Sequence, residues 1–345
     1  MSYTVTPKLI NIEDWSEQDV NPWTQDTAKD KIARPNAVNP EYLLIYTSSE
    51  VIILDKYGNK VLQKTFDYTI NEARINNNGD FIIRSGDTVY IYDINGNLLY
   101  QNTYATTINK VDIGLNYAWV SLLNDPRDIY VINLSDFSYT NFTVDLTGNF
   151  NYPVRCSETG ERAVITSGDT SNPAYVIFMT KDGIEKSVSL GVNGYPTTLK
   201  LRPDGVIAFT DPVQSNGPVR VFAVRNDGAK AQLGSISVYK HAAIAVSVNG
   251  DKIAFIGANQ TTIYKRLLDI DMMEVSDAGT ITLPEAIDSV VSPDTCLDMT
   301  PDGKYIIAPS GSKIRIIDWG TNTVKKEITK SITYKYYAVL TVEAT

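Results

Sequence analysis

Residues 73–93 read ARINNNGDFIIRSGDTVYIYD. An Asn-Gly turn opens this stretch, and glycine supplies the positive φ that tight hairpin turns need. An apolar strand, FIIRS, follows. A second turn, SGD, leads into a second apolar strand that ends on Asp93. Residues 33–55, ARPNAVNPEYLLIYTSSEVIILD, repeat the pattern once two extra residues are allowed in the first turn. The opening half of the motif returns as SETGERAVITSG at 157–168, RPDGVIAFTDP at 202–212, VNGDKIAFIG at 248–257 and TPDGKYIIAPSG at 300–311. GLNYAWVSLL at 114–123 is a degenerate copy without the turn glycine.

The spacing defines the unit. Turn glycines Gly79, Gly160, Gly205, Gly250 and Gly303 lie 81, 45, 45 and 53 residues apart, and the first gap holds two units, the missing marker being near Asn116. After its second apolar strand each copy carries another turn (YGN, INGN, KDG, NDG or GTN) and a more polar strand such as NLLYQNTY. Four strands in roughly 40–50 residues is the period of a propeller blade, not of a one-strand-per-turn solenoid. Seven units fall near 33–67, 70–104, 107–144, 151–190, 196–235, 240–283 and 294–330. A four-stranded sheet with two apolar faces cannot bury itself alone, but radial stacking buries each face on the next blade. The expected fold is therefore an all-β, seven-bladed propeller of four-stranded antiparallel blades.

The C-terminal segment SITYKYYAVLTVEAT follows a complete seventh unit and aligns with SISVYKHAAIAVSVN at 235–249, the inner strand of unit six. We read it as a surplus inner strand that pairs into blade one and closes the ring, with Ala33–Val38 as lead-in. The alternative keeps Ala33–Val38 in blade one and lays the C-terminal strand on an edge. Residues 1–30, with Trp15 and Trp23, form an N-terminal arm outside the repeat; residues 31–345 form the propeller. The arm either packs along the rim or docks a partner.

Composition narrows the function. The chain has 345 residues, 43% of them hydrophobic, and a formal net charge of −9. That balance argues against nucleic acid, whose phosphates require a basic face. The N-terminus MSYTVTPKLINIEDWSEQDV has neither the basic start nor the apolar run of a secretory signal. No apolar run is long enough to span a membrane as a helix. These features predict a cytoplasmic or virion-associated protein without membrane insertion.

The PDG and NGD turns ahead of apolar strands, in TPDGKYIIA and RPDGVIAF, resemble the WD40-like and YVTN-like β-propeller superfamily over about 300 residues. The resemblance implies architecture more than function, because this fold hosts enzymes, receptors and scaffolds. The WD40 signature itself departs: no Gly-His pair opens a blade, and Asp318-Trp319 reverses the usual order. An Ile-, Tyr- and Asn-rich, His-poor composition also looks like proteins of archaeal viruses or thermophilic archaea.

Catalytic and cofactor chemistry finds no footing. A single histidine, His241, excludes a site of two or three imidazoles within one chain. No G-x-S-x-G elbow, Walker A motif or G-x-G-x-x-G occurs. Cys156 and Cys296 sit four and seven residues before their turn glycines, on opposite faces of equivalent strands, so they are expected to be reduced and unpaired. Asp55, Asp93 and Asp318 end equivalent strands; they could ring a cation at the channel mouth, but turn capping is the plainer role. Asp269-Ile270-Asp271 lacks the glycine and further oxygen ligands of an EF-hand loop. We therefore assign no catalytic, metal or cofactor-binding residue. The expected function is a non-enzymatic interaction or structural module, such as a virion or attachment component. The alternative is a hydrolase-type enzyme with a cation or small-molecule site at the channel mouth. A protein partner is expected at rim loops, namely DPVQSNGPV at 211–219 around Asn216, SGDTSNPA at 167–174 around Asn172, and LPEAIDSVVSPDT at 283–295 around Ile287. Extra loop length is expected to have no structural purpose in a ring already closed.

Overall fold

The computed structural model describes residues 31–329 except 124–125, 146–153, 214–216, 238–241, 288–296 and 312, together with the backbone of four short strands nearer the N-terminus. The chain is a seven-bladed propeller of four-stranded antiparallel sheets, with no helix among the described residues. Blade one holds Lys31–Ala33, Tyr42–Tyr46, Glu50–Asp55 and Lys60–Thr65, from inner to outer strand. Blade two runs from Glu72–Ile75 to Leu98–Thr103, blade three from Ile108–Ile113 to Tyr139–Val144, and blade four from Val154–Cys156 to Gly183–Asn193. Blade five runs from Tyr195–Leu201 to Lys230–Ile236, blade six from Ala242–Val246 to Glu274–Thr282, and blade seven from Asp298–Met299 to Val324–Thr329. In the N-terminal segment Ser2–Val5 pairs with Trp23–Asp26 and Lys8–Ile10 with Glu17–Asp19.

Burial follows strand position. The second strand of blade five, Ile207–Val213, is buried along its whole length, because neighbouring blades cover both faces. The outer strand Lys60–Thr65 alternates between exposed and half-buried, as an edge facing water should. Between successive blades the side chains merge into one apolar cluster at each of six interfaces. The seam between blades seven and one differs. There Ile45, Ile52 and Leu54 of blade one form one small cluster, and Tyr305, Ile307 and Ile316 of blade seven form another. Arg34 and Asp298 join the two sides with an ion pair of 2.8 Å.

Lys31–Ala33 holds the inner position of blade one, pairing Ala33 with Leu44. Residues 34–38, offered as strand in one reading of the sequence, are instead part of a connection. The expected C-terminal clasp, 332–345, lies outside the described residues, as do Trp15, His241 and Cys296.

Blade three explains its own degenerate sequence. Its first turn is shorter, closed by Gly114 N–H donating to Tyr117 O at 2.9 Å. Leu115 and Asn116 then donate their N–H groups to Glu158 O and Thr159 O of blade four, each at 2.8 Å. Trp119, fully buried, donates its indole N–H to Gly160 O at 2.7 Å. The backbones approach so closely that a Cβ on Gly114 would lie 2.2 Å from Gly160 N. The turn glycine has not vanished from this blade but moved to the point of contact.

Candidate functional site

Antiparallel blades have two distinct ends. The turns joining first to second and third to fourth strands lie at one, the turn end; the remaining connections lie at the other, the loop end. Inner strands surround the channel, and their side chains point toward it at every second residue. Counting five residues back from each turn glycine selects Arg74, Arg155, Lys200, Ala245 and Asp298. Ala33 and Asp112 complete a set of one residue per blade, and all seven line a cavity of about 170 Å³ at the turn end of the channel.

A second polar layer lies two residues farther in. Glu72, 3% exposed, accepts from Arg74 at 2.9 Å and lies 3.5 Å from Arg84 Nε. Burial alone would raise the Glu72 carboxyl, but Arg74, Lys110, Arg84 and Arg155 together hold it below the usual range. Lys110 shows the same field from the other side. Glu72 favours its charged form, yet burial and those three arginines outweigh it and lower the ammonium pKa. Asp112 is raised by burial, against the pull of Arg155, Arg74 and the N–H groups of Cys156 and Ile113. Its Oδ2 accepts the Cys156 N–H at 2.8 Å, tying blade three to blade four.

The connection 34–41 crosses the mouth of this cavity. Asn36 donates from Nδ2 to Cys156 O of blade four at 2.7 Å, and Val38 N–H reaches Glu158 Oε2 at 3.5 Å. Pro35, Asn36 and Ala37 roof the cavity. The two extra residues in the first turn thus build a strap across the channel.

The expected partner loops divide. Ile287 is 1% exposed and packs in the cluster between blades six and seven, with its N–H donating to Gln260 O at 3.0 Å. Asp211–Val213 belong to a buried strand, and Asp211 binds the Ala242 N–H of blade six. The described parts of these two loops, at Asp211 and at 283–287, thus tie adjacent blades, against the expectation that the loops play no structural part; 214–216 and 288–295 lie outside the described residues. Asp169–Asn172 form a turn in which Asp169 accepts from Ser171 and Asn172 N–H, and Asn193 Nδ2 of the outer strand donates to Ser171 O at 3.2 Å. Asn216 lies outside the described residues. All three loops are at the loop end, opposite the cavity.

Exposed apolar side chains favour the turn end. Of the eleven large ones most exposed among the described residues, all but Leu123 sit there, including Tyr57, Leu98, Tyr139, Ile184 and Met272. They follow the outer turns around six of the seven blades.

The recurrent acids cap turns. Asp55 accepts from Tyr57 and Asn59 N–H, Asp93 from Asn95 and Asn97 N–H, and Asp318 from Thr321 N–H. They mark outer turns, away from the channel. Asp269 likewise accepts from Asp271 and Met272 N–H. Among the described residues no three His, Cys, Asp or Glu side chains gather as a metal site. Cys156 is buried, and burial pushes its thiol pKa well up.

These features define a seven-bladed propeller with a strapped, arginine-rich channel mouth. Residues 38–134 match the model of a family of unknown function, DUF5711. No curated protein matches the chain by sequence. Among solved structures it is similar to KlAtg21 in complex with the coiled coil of AgAtg16, at 13% identity and a TM-score of 0.63, covering 87% of this chain and 99% of that one. It is also similar to Saccharomyces cerevisiae Sqt1, at 12% identity and 0.61, covering 89% and 87%. A third, Kuenenia stuttgartiensis hydrazine synthase, matches at 12% identity and 0.55, covering 87% and 95%. At such identities the likeness is one of fold. No helix among the described residues is long and apolar enough to cross a membrane.

Proposed function

We propose that the chain is a non-catalytic propeller that binds a protein partner with its turn end. The observation that carries this reading is the one-sided placement of exposed apolar side chains. Scattered exposed apolar residues need no explanation, but their gathering at one end of a rigid ring marks a contact face. Aromatic and long aliphatic side chains are the usual energetic anchors of interfaces. One structurally similar propeller, KlAtg21, was solved with a coiled-coil partner, which supports a protein as the ligand class. As the finer role we propose a virion or attachment component, supported by the Ile-, Tyr- and Asn-rich composition.

The test compares two sets of variants in pull-down from the native source and in particle incorporation. Tyr57→Ser, Leu98→Ser, Tyr139→Ser and Met272→Ser, combined, change the turn end. A shortened 169–173 loop changes the loop end. Loss with the first set alone supports the reading; loss with the second alone moves the partner to the loop end. If neither set binds less than the parent, the ends are not the contact surface.

A further inference from the structure

We infer that the strapped cavity at the turn end is a binding site for a small, multivalent oxyanion of the phosphate type. The charge count comes first. Among the described residues that line the cavity, Arg34, Arg74, Arg155, Lys200 and Arg202 stand with the acids Asp112 and Asp298, and Asp204 pairs with Arg202 beside it. Five cations against three acids gives a surplus of two positive charges inside a chain whose net charge is −9. A protein acidic overall has concentrated cations in a recess, and charge placed there focuses the field and attracts counter-ions.

Geometry selects the class of anion. Arg74, Arg155 and Lys200 line the cavity from blades two, four and five at one repeat position, so they meet it from different sides. A tetrahedral oxyanion presents oxygens in several directions at once, whereas a lone carboxylate presents two in a plane. Guanidinium groups match phosphate oxygens with paired N–H donors. Five N–H donors per guanidinium allow an intramolecular acid and a ligand to be served together, as the Arg74–Glu72 pair would require. Size sets the other limit. About 170 Å³ is well below the roughly 300–1,000 Å³ of sites for drug-sized ligands, and suits phosphate or pyrophosphate. The strap adds Arg34 on one side and covers the mouth, which favours a free ion over a phosphoryl group carried on a protein chain.

The experiment is isothermal titration of pyrophosphate into the full chain at low ionic strength. Saturable one-to-one binding is expected, weakened at least tenfold in Lys200→Ala and in Arg155→Ala. Arg225→Ala removes the same charge from an outer-turn pair with Asp227 and should bind as the parent does. A circular-dichroism melt of each variant checks folding; if Arg155→Ala does not fold, the half-exposed Lys200 decides alone. No saturable heat by about 10 mM, an affinity weaker than most physiological ligands, overturns the site. Equal binding by Lys200→Ala and the parent also overturns it. A serine-phosphorylated peptide forms the second arm: peptide binding without pyrophosphate binding would refute the free-ion assignment.

Discussion

Arg34 and Asp298 are 264 positions apart in sequence, yet Arg34 Nη2 donates to Asp298 Oδ1 at 2.8 Å. Their pairing spans the one interface where, among the described residues, the apolar clusters of adjacent blades stay separate. Half-buried on one side and nearly buried on the other, the pair is less screened than a surface ion pair. A double-mutant cycle with Arg34→Ala and Asp298→Asn should give a coupling of about 1–2 kcal/mol, above the usual surface value. Denaturant titration measures it, and a coupling near zero would show that the seam is held elsewhere.

Gly160 should be the least replaceable turn residue. Its φ is +78°, and a Cβ there would lie 2.4 Å from Tyr117 O, a backbone atom that cannot swing away. Left-handed backbone costs an L side chain roughly 1–2 kcal/mol before any clash. Gly160→Ala is therefore expected to lose at least about 2 kcal/mol. Gly86, with a φ of +61° and nothing near its absent side chain, offers the control. If the two alanine variants melt together, the close approach of blades three and four contributes little.

Asp211 predicts a pH dependence of stability. The side chain is fully buried and accepts from Thr197 N–H and hydroxyl, Thr198 N–H and Ala242 N–H. Burial pushes its pKa up to about 7, the three N–H donors and the hydroxyl pulling partly back. Because the folded value lies above the unfolded one, the native state binds the proton more tightly. Its contribution is full below about pH 4 and is lost as pH rises through about 7, on the order of a few kcal/mol. Asp211→Asn should flatten this part of the profile while lowering stability throughout, since an amide nitrogen would meet an N–H donor. Chemical denaturation from pH 4 to 8 reads it out; equal slopes for parent and variant would falsify the assignment.

Cys156 should be inert in the native state. It is 1% exposed, and its thiolate is disfavoured first by burial and then by Asp112. In a Cys296→Ser background, Ellman's reagent at pH 8 should label no thiol until denaturant is added. Rapid labelling of the folded protein would mean that the inner strand of blade four opens readily.

The blades were legible in sequence because turn glycines and apolar runs are local. NNNGDFIIR at 76–84 needs no distant partner to be read as turn and strand. What escaped was set by neighbours. GLNYAWV looked degenerate because Gly114 answers to Gly160 of the next blade rather than to its own turn. Ile287 reads locally as a loop residue, since nothing near it in sequence reveals that Leu283 and Ile287 close the interface with blade seven. The channel layer was nearly within reach. Arg74, Arg155, Lys200 and Asp298 occupy one repeat position, but only ring closure turns a column of an alignment into a circle of charges. The two extra residues before Tyr42 were visible as a length difference, and their path across the channel was not.

That path has a mechanical meaning. Contacts between adjacent blades tie each blade to its two neighbours and none to a blade across the ring. The bond from Asn36 to Cys156 O joins blade one to blade four, nearly across the diameter. One hydrogen bond of this kind is worth about 1 kcal/mol, small against the whole fold. Placed as a tie-rod, it opposes any distortion that would part blade one from blade four at the turn end.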